Sequence, residues 1–361
     1  MARQTYRYGD IERALPERAL DGSRLISFFI FNTDVHLHAY AADAEDAADP
    51  RVRERLDAAL LACRDRCRFF ERAFSRMRAD SDIARAHAAA PDPVPVAAET
   101  AELVRLALGY CARSRGLFDI TMGTLTRLWD FHAGVVPSRL ALSRALPHVG
   151  YGRIRLGMGA GPDGAAAPML AIEDPETVLD LGGVAKGYVA DDLARILRGH
   201  GVGRFAINLG GNVLVAGGRP ADAGSRPPVR SGAPWRIGIV NPLDPAHSRA
   251  VVDMADGSVV TSGIHERRFT RGGRSYWHIL DPRTGMPAES DVASATIVAP
   301  RSMDCDGYST TAFMLGSASA IDFVEGLPGV EAVIITDADE VLWTSGIADA
   351  LSLIPTLPRL R

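Results

Sequence analysis

Hydrophobic residues recur along the chain with periods that change from segment to segment, and each period predicts an element. Nearly continuous apolar residues around 25–40 predict a pair of strands. Between about 50 and 76 the apolar positions recur at steps of three and four, which predicts one long amphipathic helix. A second helix is predicted over 98–116, where Gly116 ends the pattern. The polar stretch 78–87 between the two helices predicts a turn.

The second half of the chain alternates short apolar runs with turn residues, which predicts strands. These runs are 204–209, 212–217, 235–240, 257–263, 276–281 and 293–300. Helices are expected to begin near Tyr308 and Ala318, and 331–337 predicts a further strand. Because most strands meet as hairpins and the helices come in few blocks, we expect an α+β fold with mixed or antiparallel sheets flanked by helices.

The pattern predicts a single large domain. Residues 1–21 form a polar leader, and no linker divides 22–355. Two Gly-, Ala- and Pro-rich segments, near 157–168 and 218–234, interrupt the periodic pattern and are expected to be mobile surface insertions. With 47% hydrophobic residues among 361, a domain of this size can bury a large core.

Composition and charge exclude several classes of function. Lys and Arg number 40 against 44 Asp and Glu, so no basic excess indicates a nucleic-acid partner. Apolar runs such as 25–31 are far shorter than the roughly 20 residues that span a bilayer, so no membrane span is expected. The first residues mix charges of both signs without an apolar export segment, and a cytoplasmic protein is therefore expected. Cys63 and Cys67 lie on the apolar stripe of the long helix, which favours a core position over a metal site.

The stretch DLGGVAKGYVADDL, residues 180–193, carries the first candidate chemistry. An apolar run over 177–181 predicts a strand before the glycines, and the spacing after Lys186 predicts a helix that Gly199 ends. A glycine turn at a helix N-terminus offers unpaired N–H groups to an anion such as a phosphate. The spacing matches neither the P-loop nor the dinucleotide fingerprint. A tight turn packed on a sheet, with Lys186 in solvent, is the alternative interpretation.

Two further clusters combine titratable and oxygen-bearing residues. In SYWHILDPRTGMP, residues 275–287, His278 and Asp281 lie three residues apart in a strand that runs into a turn. Asp306 and Thr310 lie four residues apart, on one face of a predicted helix. This pair is suited to bind Mg²⁺ or another hard cation through oxygen, and a helix cap is the alternative.

Together with four other motifs, these three resemble the ApbE-type FAD:protein FMN transferase family. The matching stretches are GLFDITMGTLTRLWDF (116–131), DLGGVAKGYVADDL (180–193), NLGGNVLVAGG (208–218), WRIGIVNP (235–242), VVTSG (259–263), HILDPRTGMP (278–287) and DCDGYSTTAFMLG (304–316). The resemblance covers roughly 22–350, nearly the whole chain. Each stretch alone is short, and their number and order make the resemblance specific.

The resemblance implies an activity and its ligands. Members of the family bind FAD with Mg²⁺ and cleave its pyrophosphate. They attach FMN by a phosphoester bond to a Thr or Ser hydroxyl of an acceptor flavoprotein and release AMP. FAD is thus the implied substrate, Mg²⁺ the implied cofactor, and a flavoprotein with a Thr/Ser attachment site the implied partner.

The resemblance also implies roles for individual residues, matched motif by motif. The implied metal ligands are the main-chain oxygen of Gly183 and the side chains of Asp306 and Thr310. The implied catalytic residues are His278 and Asp281, and a histidine titrates in the range that suits a general base. The implied flavin contacts are Phe31, Met77, Leu117, Phe118, Asp119, Asp180, Lys186 and Ile279.

The chain departs from the family pattern in three places. FNT at 31–33 stands where the family usually has MGT. Ile264 and His265 follow TSG, where Asp-Tyr is common. CDG at 305–307 stands where the family usually reads A-D-A.

Two other functions are compatible with the same motifs. A hydrolase would release FMN and AMP by letting water replace the acceptor hydroxyl, and a flavin-binding protein would keep the fold without catalysis. The presence of Asp306, Thr310 and His278 favours an enzyme, since a binding protein needs no base.

Overall fold

A computed structural model describes residues 10–221, 229–264 and 267–355. Its α-helices are α1 (Asp10–Arg13), α2 (Ala44–Ala48), α3 (Pro50–Phe74), α4 (Asp82–Ala89), α5 (Ala98–Arg113), α6 (Gly123–Thr126), α7 (Arg139–Ala145), α8 (Ala185–Gly199), α9 (Ser302–Leu315) and α10 (Ser317–Glu325). Short 3₁₀ helices cover Leu146–His148, Tyr151–Arg153 and Ser345–Ala350. The strands are β1 (Glu17–Arg18), β2 (Arg24–Ile30), β3 (Thr33–Tyr40), β4 (Val94–Pro95), β5 (Ile154–Ala160), β6 (Ala166–Ile172), β7 (Arg204–Leu209), β8 (Asn212–Ala216), β9 (Trp235–Asn241), β10 (Asp244–Met254), β11 (Gly257–Gly263), β12 (Arg268–Arg271), β13 (Arg274–Trp277), β14 (Val292–Ala299), β15 (Glu331–Thr336), β16 (Val341–Trp343) and β17 (Leu351–Leu353).

Nine strands form the main sheet of the described chain, in the order β1-β2-β3-β7-β8-β11-β14-β15-β16. Every neighbouring pair in this sheet is antiparallel. Smaller sheets are formed by β17-β10-β9, β4-β6-β5 and β12-β13. The α+β fold with antiparallel sheets, expected from the hairpin pattern, is confirmed.

The central strands of the main sheet are buried on both faces. Every residue of β14 is buried, and successive side chains point to opposite faces. Ala295 and Ile297 belong to the core that the helices form, whereas Val298 packs with Ile239 and Val252 of the sheet β17-β10-β9. Helices therefore cover one face here and the small sheet covers the other, which explains why these strands read as continuous apolar runs.

The long helix α3 packs its apolar stripe against β2 and α8. Its buried positions are Val52, Leu56, Ala59, Leu60, Cys63, Cys67, Phe70, Ala73 and Phe74. Asp49 caps the N-terminus by accepting a hydrogen bond from the Arg51 N–H. Pro50 stands in the first turn, where an N–H donor would have no acceptor within the helix, so its missing N–H costs no helical hydrogen bond. Cys63 and Cys67 are buried free thiols whose pKa is raised by burial, so the core interpretation is confirmed.

The prediction of a turn over 78–87 is wrong, because α4 occupies most of this stretch. Ser81 caps the helix by accepting the Ala84 N–H, and Ile83 and Ala86 are fully buried. Two apolar residues on one face suffice once a core is available to receive them.

The predicted strand over 177–181 is also absent. Val178 makes one isolated parallel bridge with Met122, and the Leu179 N–H donates to His87 Nε2 at 2.7 Å. A side chain and a single bridge thus satisfy backbone groups that a sheet would otherwise pair.

The two expected insertions differ. The segment 157–168 lies within the hairpin β5-β6, which pairs in register along its length. Of 218–234, Arg219 and Ala233 form an isolated bridge, and 222–228 lie outside the described residues.

The described part of the leader carries structure. Helix α1 buries Ile11 in the main core, and β1 pairs with β2 as the edge strand of the main sheet. None of the helices in the described ranges has both the length and the hydropathy that a bilayer-crossing segment needs.

Helix α9 begins at Ser302, earlier than the Tyr308 expected from its apolar residues. Its first N–H groups are capped from another helix: the Ser302 N–H donates to Asp191 Oδ1 at 2.8 Å and the Met303 N–H to Oδ2 at 3.0 Å. Burial raises the pKa of Asp191 to about 6, while these two hydrogen bonds oppose the shift. A cap supplied by α8 leaves no local signal in the sequence that precedes α9.

Candidate active site

A tight turn leads into α8 and exposes Gly182 and Gly183. The Asp180 carboxylate shapes this turn, since its Oδ1 accepts the Gly182 N–H at 2.9 Å and its Oδ2 lies 3.4 Å from the Arg76 guanidinium. The Asp180 N–H donates to the Ile120 carbonyl at 2.7 Å. Asp180 thus ties the glycine turn to the segment after α3 and to the segment before α6.

Phe118 lies directly against the glycine turn. A Cβ on Gly183 would stand 2.9 Å from Cε2 of the Phe118 ring, so only glycine fits there unless the ring moves. A Cβ on Gly123 would stand 2.6 Å from the Val178 carbonyl oxygen. The motif at 116–131 and the glycine turn, both predicted to contact the flavin, are therefore in contact with each other.

Helix α9 brings Asp306 to the start of α8. The helices lie close together at Gly187, where a Cβ would come 2.5 Å from the Ser302 carbonyl oxygen. Asp306 Oδ2 accepts the Gly187 N–H at 2.6 Å, and Oδ1 accepts a hydrogen bond from Asn212 Nδ2 at 3.1 Å. The Asp306 carboxylate, only 4% exposed, is thereby held between α8 and β8.

The bond to Asp306 caps the first turn of α8. Gly187 is the third residue of this helix, and the N–H groups of a first turn have no acceptor within the helix. The Gly187 N–H donates to Asp306 instead, and no backbone N–H of the described residues bonds to the carbonyl of Gly183, which precedes the helix. An exposed glycine thus keeps its carbonyl oxygen available for a ligand.

Thr310 follows Asp306 by one turn of α9. Its Oγ1 lies 3.4 Å from Ser262 Oγ, which in turn lies 2.8 Å from Ser309 Oγ. Because Asp306 is inside the helix and Asp191 caps its N-terminus, the helix-cap alternative for Asp306 and Thr310 is wrong.

The donors at Asp306 suit a hard cation. Burial raises the pKa of the Asp306 carboxyl, while the Lys186 charge and the hydrogen bonds from Gly187 and Asn212 oppose the shift. One carboxylate, one hydroxyl and one carbonyl are few protein ligands, as is usual for Mg²⁺ that also binds water and substrate phosphates. Within the described ranges no three His, Cys, Asp or Glu side chains could hold a metal by themselves.

His278 stands between an exposed hairpin and the core. Strand β13 ends at Trp277, so the predicted strand over 276–281 ends earlier than expected. The His278 N–H donates to the Arg267 carbonyl at 3.2 Å, and its side chain is half-buried. Ile279, the next residue, is buried in the main core.

Asp281 forms the turn after His278. Its N–H donates to the Met286 carbonyl at 2.8 Å, and its two carboxylate oxygens accept hydrogen bonds from Arg283. Burial acts to raise the Asp281 pKa, but the hydrogen bonds and charge of Arg283 outweigh it and lower the pKa. Trp129 Nε1 donates to the Gly285 carbonyl at 3.1 Å and anchors the turn from outside. The Asp281 carboxylate is thus committed to holding this turn.

Helix α6 joins the two halves of the site. A Cβ on Gly285 would stand 3.1 Å from the Leu125 side chain, and Gly123 packs on Val178 beside the glycine turn. The His278 loop and the glycine turn therefore rest on the same short helix.

The Asp119 carboxylate holds together the start of the motif at 116–131, which is predicted to contact the flavin. Its Oδ1 accepts hydrogen bonds from the Thr121 N–H and hydroxyl, and its Oδ2 accepts the Tyr151 N–H at 2.9 Å. Burial raises the pKa of Asp119, and these hydrogen bonds oppose the shift. Leu117 is half-buried in the same segment.

Phe31 and Met77 lie at two loop tips. Phe31 and Asn32, with φ of 54° and 58°, form the two-residue turn between β2 and β3. Burial raises the pKa of Glu71, while a hydrogen bond from the Phe31 N–H opposes the shift. Met77 is 81% exposed and follows Arg76, whose salt bridge reaches the glycine turn.

Sequence reasoning missed four polar residues that hold the site: Asn212, Ser262, Arg76 and His87. Asn212 and Ser262 lie within motifs that carried the family resemblance. Each is a polar residue at one end of an apolar strand, and this position could have indicated a role in the site. Arg76 and His87 lie outside those motifs and act only through tertiary contacts.

His87 makes the approach to the glycine turn sensitive to pH. Its Nε2 accepts the Leu179 N–H, which requires the neutral ring. Burial lowers the His87 pKa, the charges of Arg76 and Arg127 add to this, and Asp180 opposes it. Because the pKa of the folded state lies below the usual 6.5, His87 contributes stability that is present above pH 6.5 and lost as the pH falls below it.

We therefore expect the melting temperature of the wild type to fall more than that of His87→Gln between about pH 7.5 and pH 5. The glutamine amide oxygen can accept the same N–H at either pH. The expected difference is about 2 °C, the shift that roughly 1 kcal/mol causes in a chain of this size. The effect of Asp191 on stability has the opposite pH dependence, because its pKa is raised in the folded state. Both proteins contain Asp191, so its contribution cancels in the difference between their melting temperatures. Equal decreases in scanning fluorimetry would contradict the role of His87.

Comparison with known proteins assigns the chain to one family. A family model described as the ApbE family matches residues 31–334. The FAD:protein FMN transferase of Treponema pallidum is 35% identical over 288 residues, which are 79% of this chain and 78% of that protein. A FAD:protein FMN transferase of Klebsiella pneumoniae is 30% identical over 256 residues, 69% of each chain.

Solved structures share the fold. The ApbE protein of Thermotoga maritima superposes with a TM-score of 0.75 at 25% identity, over 91% of this chain and 99% of that one. The flavin transferase ApbE of Vibrio cholerae superposes with a TM-score of 0.74 at 22% identity, over 93% and 99% of the two chains.

Proposed function

The chain belongs to the ApbE family, and on that premise we propose that it acts as a FAD:protein FMN transferase. The proposed reaction moves the FMN part of FAD to a Thr or Ser hydroxyl of an acceptor flavoprotein through a phosphoester bond and releases AMP. The observation that carries the proposal is the buried Asp306 carboxylate, which accepts the Gly187 N–H beside a glycine turn whose Gly183 carbonyl accepts no backbone N–H from the described residues. The cytoplasmic location expected from the sequence stays a prediction.

The donor set at Asp306 fits Mg²⁺. Asp306, Thr310 and the Gly183 carbonyl would hold the ion, and water and phosphate oxygens would complete its coordination. Bound there, Mg²⁺ supplies positive charge against the negative charge that develops on the phosphates during cleavage.

The start of α8 is the proposed phosphate site. A helix N-terminus carries a partial positive charge, and the Lys186 ammonium adds a full one. Gly182 and Gly183 have no side chains, so the backbone can approach the phosphate oxygens closely. In this proposal these groups bind and orient the pyrophosphate and make no bond to phosphorus.

We assign the general base to His278. The acceptor hydroxyl oxygen bonds to the phosphorus of FMN, and the hydroxyl proton passes to a ring nitrogen of His278. The bond between that phosphorus and the bridging oxygen breaks, and the bond electrons leave with AMP. The hydrogen bonds between Asp281 and Arg283 hold the loop that carries His278, which supports a positioning role for Asp281.

One incubation separates the three candidate functions. The protein is mixed with FAD and Mg²⁺, with and without a candidate acceptor, and the products are followed by chromatography and in-gel fluorescence. Covalently fluorescent acceptor together with AMP supports transfer. Free FMN and AMP without an acceptor indicate a hydrolase, and unchanged FAD indicates binding alone.

Lys186→Met is expected to weaken FAD binding more than it lowers the saturated rate. A hydrogen bond to a charged group contributes about 1.5–3 kcal/mol, which corresponds to roughly a 10- to 100-fold rise in the dissociation constant. The proposed contact is the same in the ground state and the transition state, so its loss acts on binding. Fluorescence titration with FAD measures the affinity.

The matched control is Arg195→Met, which removes an exposed cation from the same helix. This control should bind FAD as the wild type does. A large fall in the saturated rate of Lys186→Met with unchanged FAD affinity would assign Lys186 to the chemical step instead.

A further inference from the structure

The hairpin β12-β13 concentrates positive charge immediately before His278. Between residues 267 and 280 the chain has no carboxylate, and it has four arginines, all exposed: Arg267, Arg268, Arg271 and Arg274. The whole chain has a formal net charge of −4. The hairpin is therefore a local exception to the overall charge.

Two of these arginines face each other at the tip. Arg271 and Arg274 are direct cross-strand partners on either side of the Gly272-Gly273 turn. Like charges directly opposite each other destabilise a hairpin. A negatively charged partner bound at this pair would offset the repulsion between the two arginines and so stabilise the hairpin.

Among the residues that the structure describes, one carboxylate, that of Glu289, forms an ion pair with these arginines. Arg274 lies 3.5 Å from Glu289, whose side chain is 88% exposed, and exposed pairs of this kind contribute little. Arg271 donates to the Gly134 carbonyl at 3.4 Å. Over the described ranges, Arg268 and Arg271 make no ion pair.

An aromatic cluster fastens the hairpin to the His278 loop. The Phe269 and Tyr276 rings stack with centroids 5.2 Å apart, and Tyr276 lies 5.8 Å from the Trp129 ring. Trp129 also donates to the Gly285 carbonyl in the turn after His278. The charged hairpin and the proposed base are thus parts of one packed unit.

Resting on the proposed function, we propose that this hairpin binds an acidic segment of the acceptor protein and so delivers the attachment residue to His278. A shallow surface depression of about 480 Å³, lined by 132–135 and 269–271, lies beside it and leaves the hairpin accessible to a partner chain. Arg268 is the cross-strand partner of Trp277, next to His278. Arg274 lies four residues before His278, about 13 Å along a strand at roughly 3.3 Å per residue. The acceptor's acidic residues therefore lie within about four positions of its Thr or Ser.

Peptide binding tests this proposal directly. Two fluorescein-labelled peptides are compared by anisotropy: one has a single Thr flanked on both sides by Asp, and the other has Lys at the same positions. The wild type should bind the Asp peptide on the order of tenfold more tightly, and added salt should reduce the preference. The doubly substituted Arg271→Glu/Arg274→Glu protein should prefer the Lys peptide. Arg271→Gln/Arg274→Gln, which only removes charge, should lose the preference.

Arg105→Glu is the matched control, because Arg105 is exposed on α5 and makes no ion pair within the described residues. It should bind both peptides as the wild type does. Equal binding of the two peptides by the wild type, or an unchanged preference in both hairpin variants, would overturn the proposal. Tighter binding of a single-stranded oligonucleotide that displaces the Asp peptide would also overturn it.

Flavin transfer to the same peptides separates this proposal from the proposed function. If charge-dependent binding occurs and no FMN reaches either peptide, the docking surface is supported and the transferase assignment fails for these probes. If the wild type and Arg271→Glu/Arg274→Glu transfer FMN to the Asp peptide with equal kcat/KM, the docking surface is overturned and the transferase assignment is retained.

Discussion

Replacing Asp306 with asparagine is expected to leave the protein folded and to abolish FMN transfer. The amide keeps the size of the carboxylate and can still accept the Gly187 N–H, and its neutrality removes the burial cost that raises the pKa of Asp306. It also removes the only charge among the proposed metal ligands. Charge neutralisation by a metal contributes several kcal/mol, so a loss of about 10³-fold or more is expected. Covalent flavin on the acceptor, read by in-gel fluorescence, measures the effect.

Asp304→Asn is the matched control for this prediction. Asp304 is on the same helix but accepts a hydrogen bond from the Tyr110 hydroxyl at 2.5 Å, and no role in transfer is proposed for it. Its variant should keep the wild-type rate. EDTA should reproduce the Asp306→Asn defect in the wild type, and excess Mg²⁺ should reverse the effect of EDTA without fully rescuing the variant. Unchanged wild-type transfer in EDTA would show that the metal assignment is wrong.

His278→Ala is expected to lose transfer while FAD still binds. A positioned general base accelerates a reaction by about 10²–10⁴-fold, and a loss in that range is expected. The His278 side chain is half-buried and its backbone is held by the Arg267 carbonyl, so truncation should leave the loop in place. Single-turnover transfer at saturating FAD, together with a separate FAD titration, distinguishes the chemical step from binding.

His247→Ala serves as the control, since His247 is exposed on β10 and pairs with nearby Asp244. It should transfer FMN at the wild-type rate. A rate for His278→Ala within a few-fold of the wild type would remove His278 from the mechanism. A parallel loss of FAD affinity and rate would instead indicate that His278 acts in binding.

Elements with a strong local period were predicted nearly to the residue. β7 and β11 have the predicted bounds, and α10 begins at Ser317, next to the expected Ala318. α3 and α5 also match, because the apolar stripe of a helix recurs every three or four residues and is visible within the segment itself. The family expected from seven ordered motifs is confirmed.

Errors occurred where partners from distant segments determine the structure. α4 was missed because its short apolar face gains stability only from the core that receives it. The start of α9 was placed too late because its cap comes from Asp191, 111 residues away. The segment before the glycine turn was expected to be a strand, but it pairs with His87, 92 residues away.

The sequence by itself determined the fold class, the main helices and strands, the family and the shared helix face of Asp306 and Thr310. Only the tertiary structure decided that this pair is not a helix cap and that Asp281 holds a turn. It also decided that the Gly183 carbonyl accepts no backbone N–H within the described ranges. It decided further that the hairpin β12-β13 and the turn after His278 are both held by Trp129. The physical reason is that periodic burial and local hydrogen bonds depend on residues a few positions apart. The role of a carboxylate depends on its burial and its donors, and those of Asp306 lie 119 and 94 residues away.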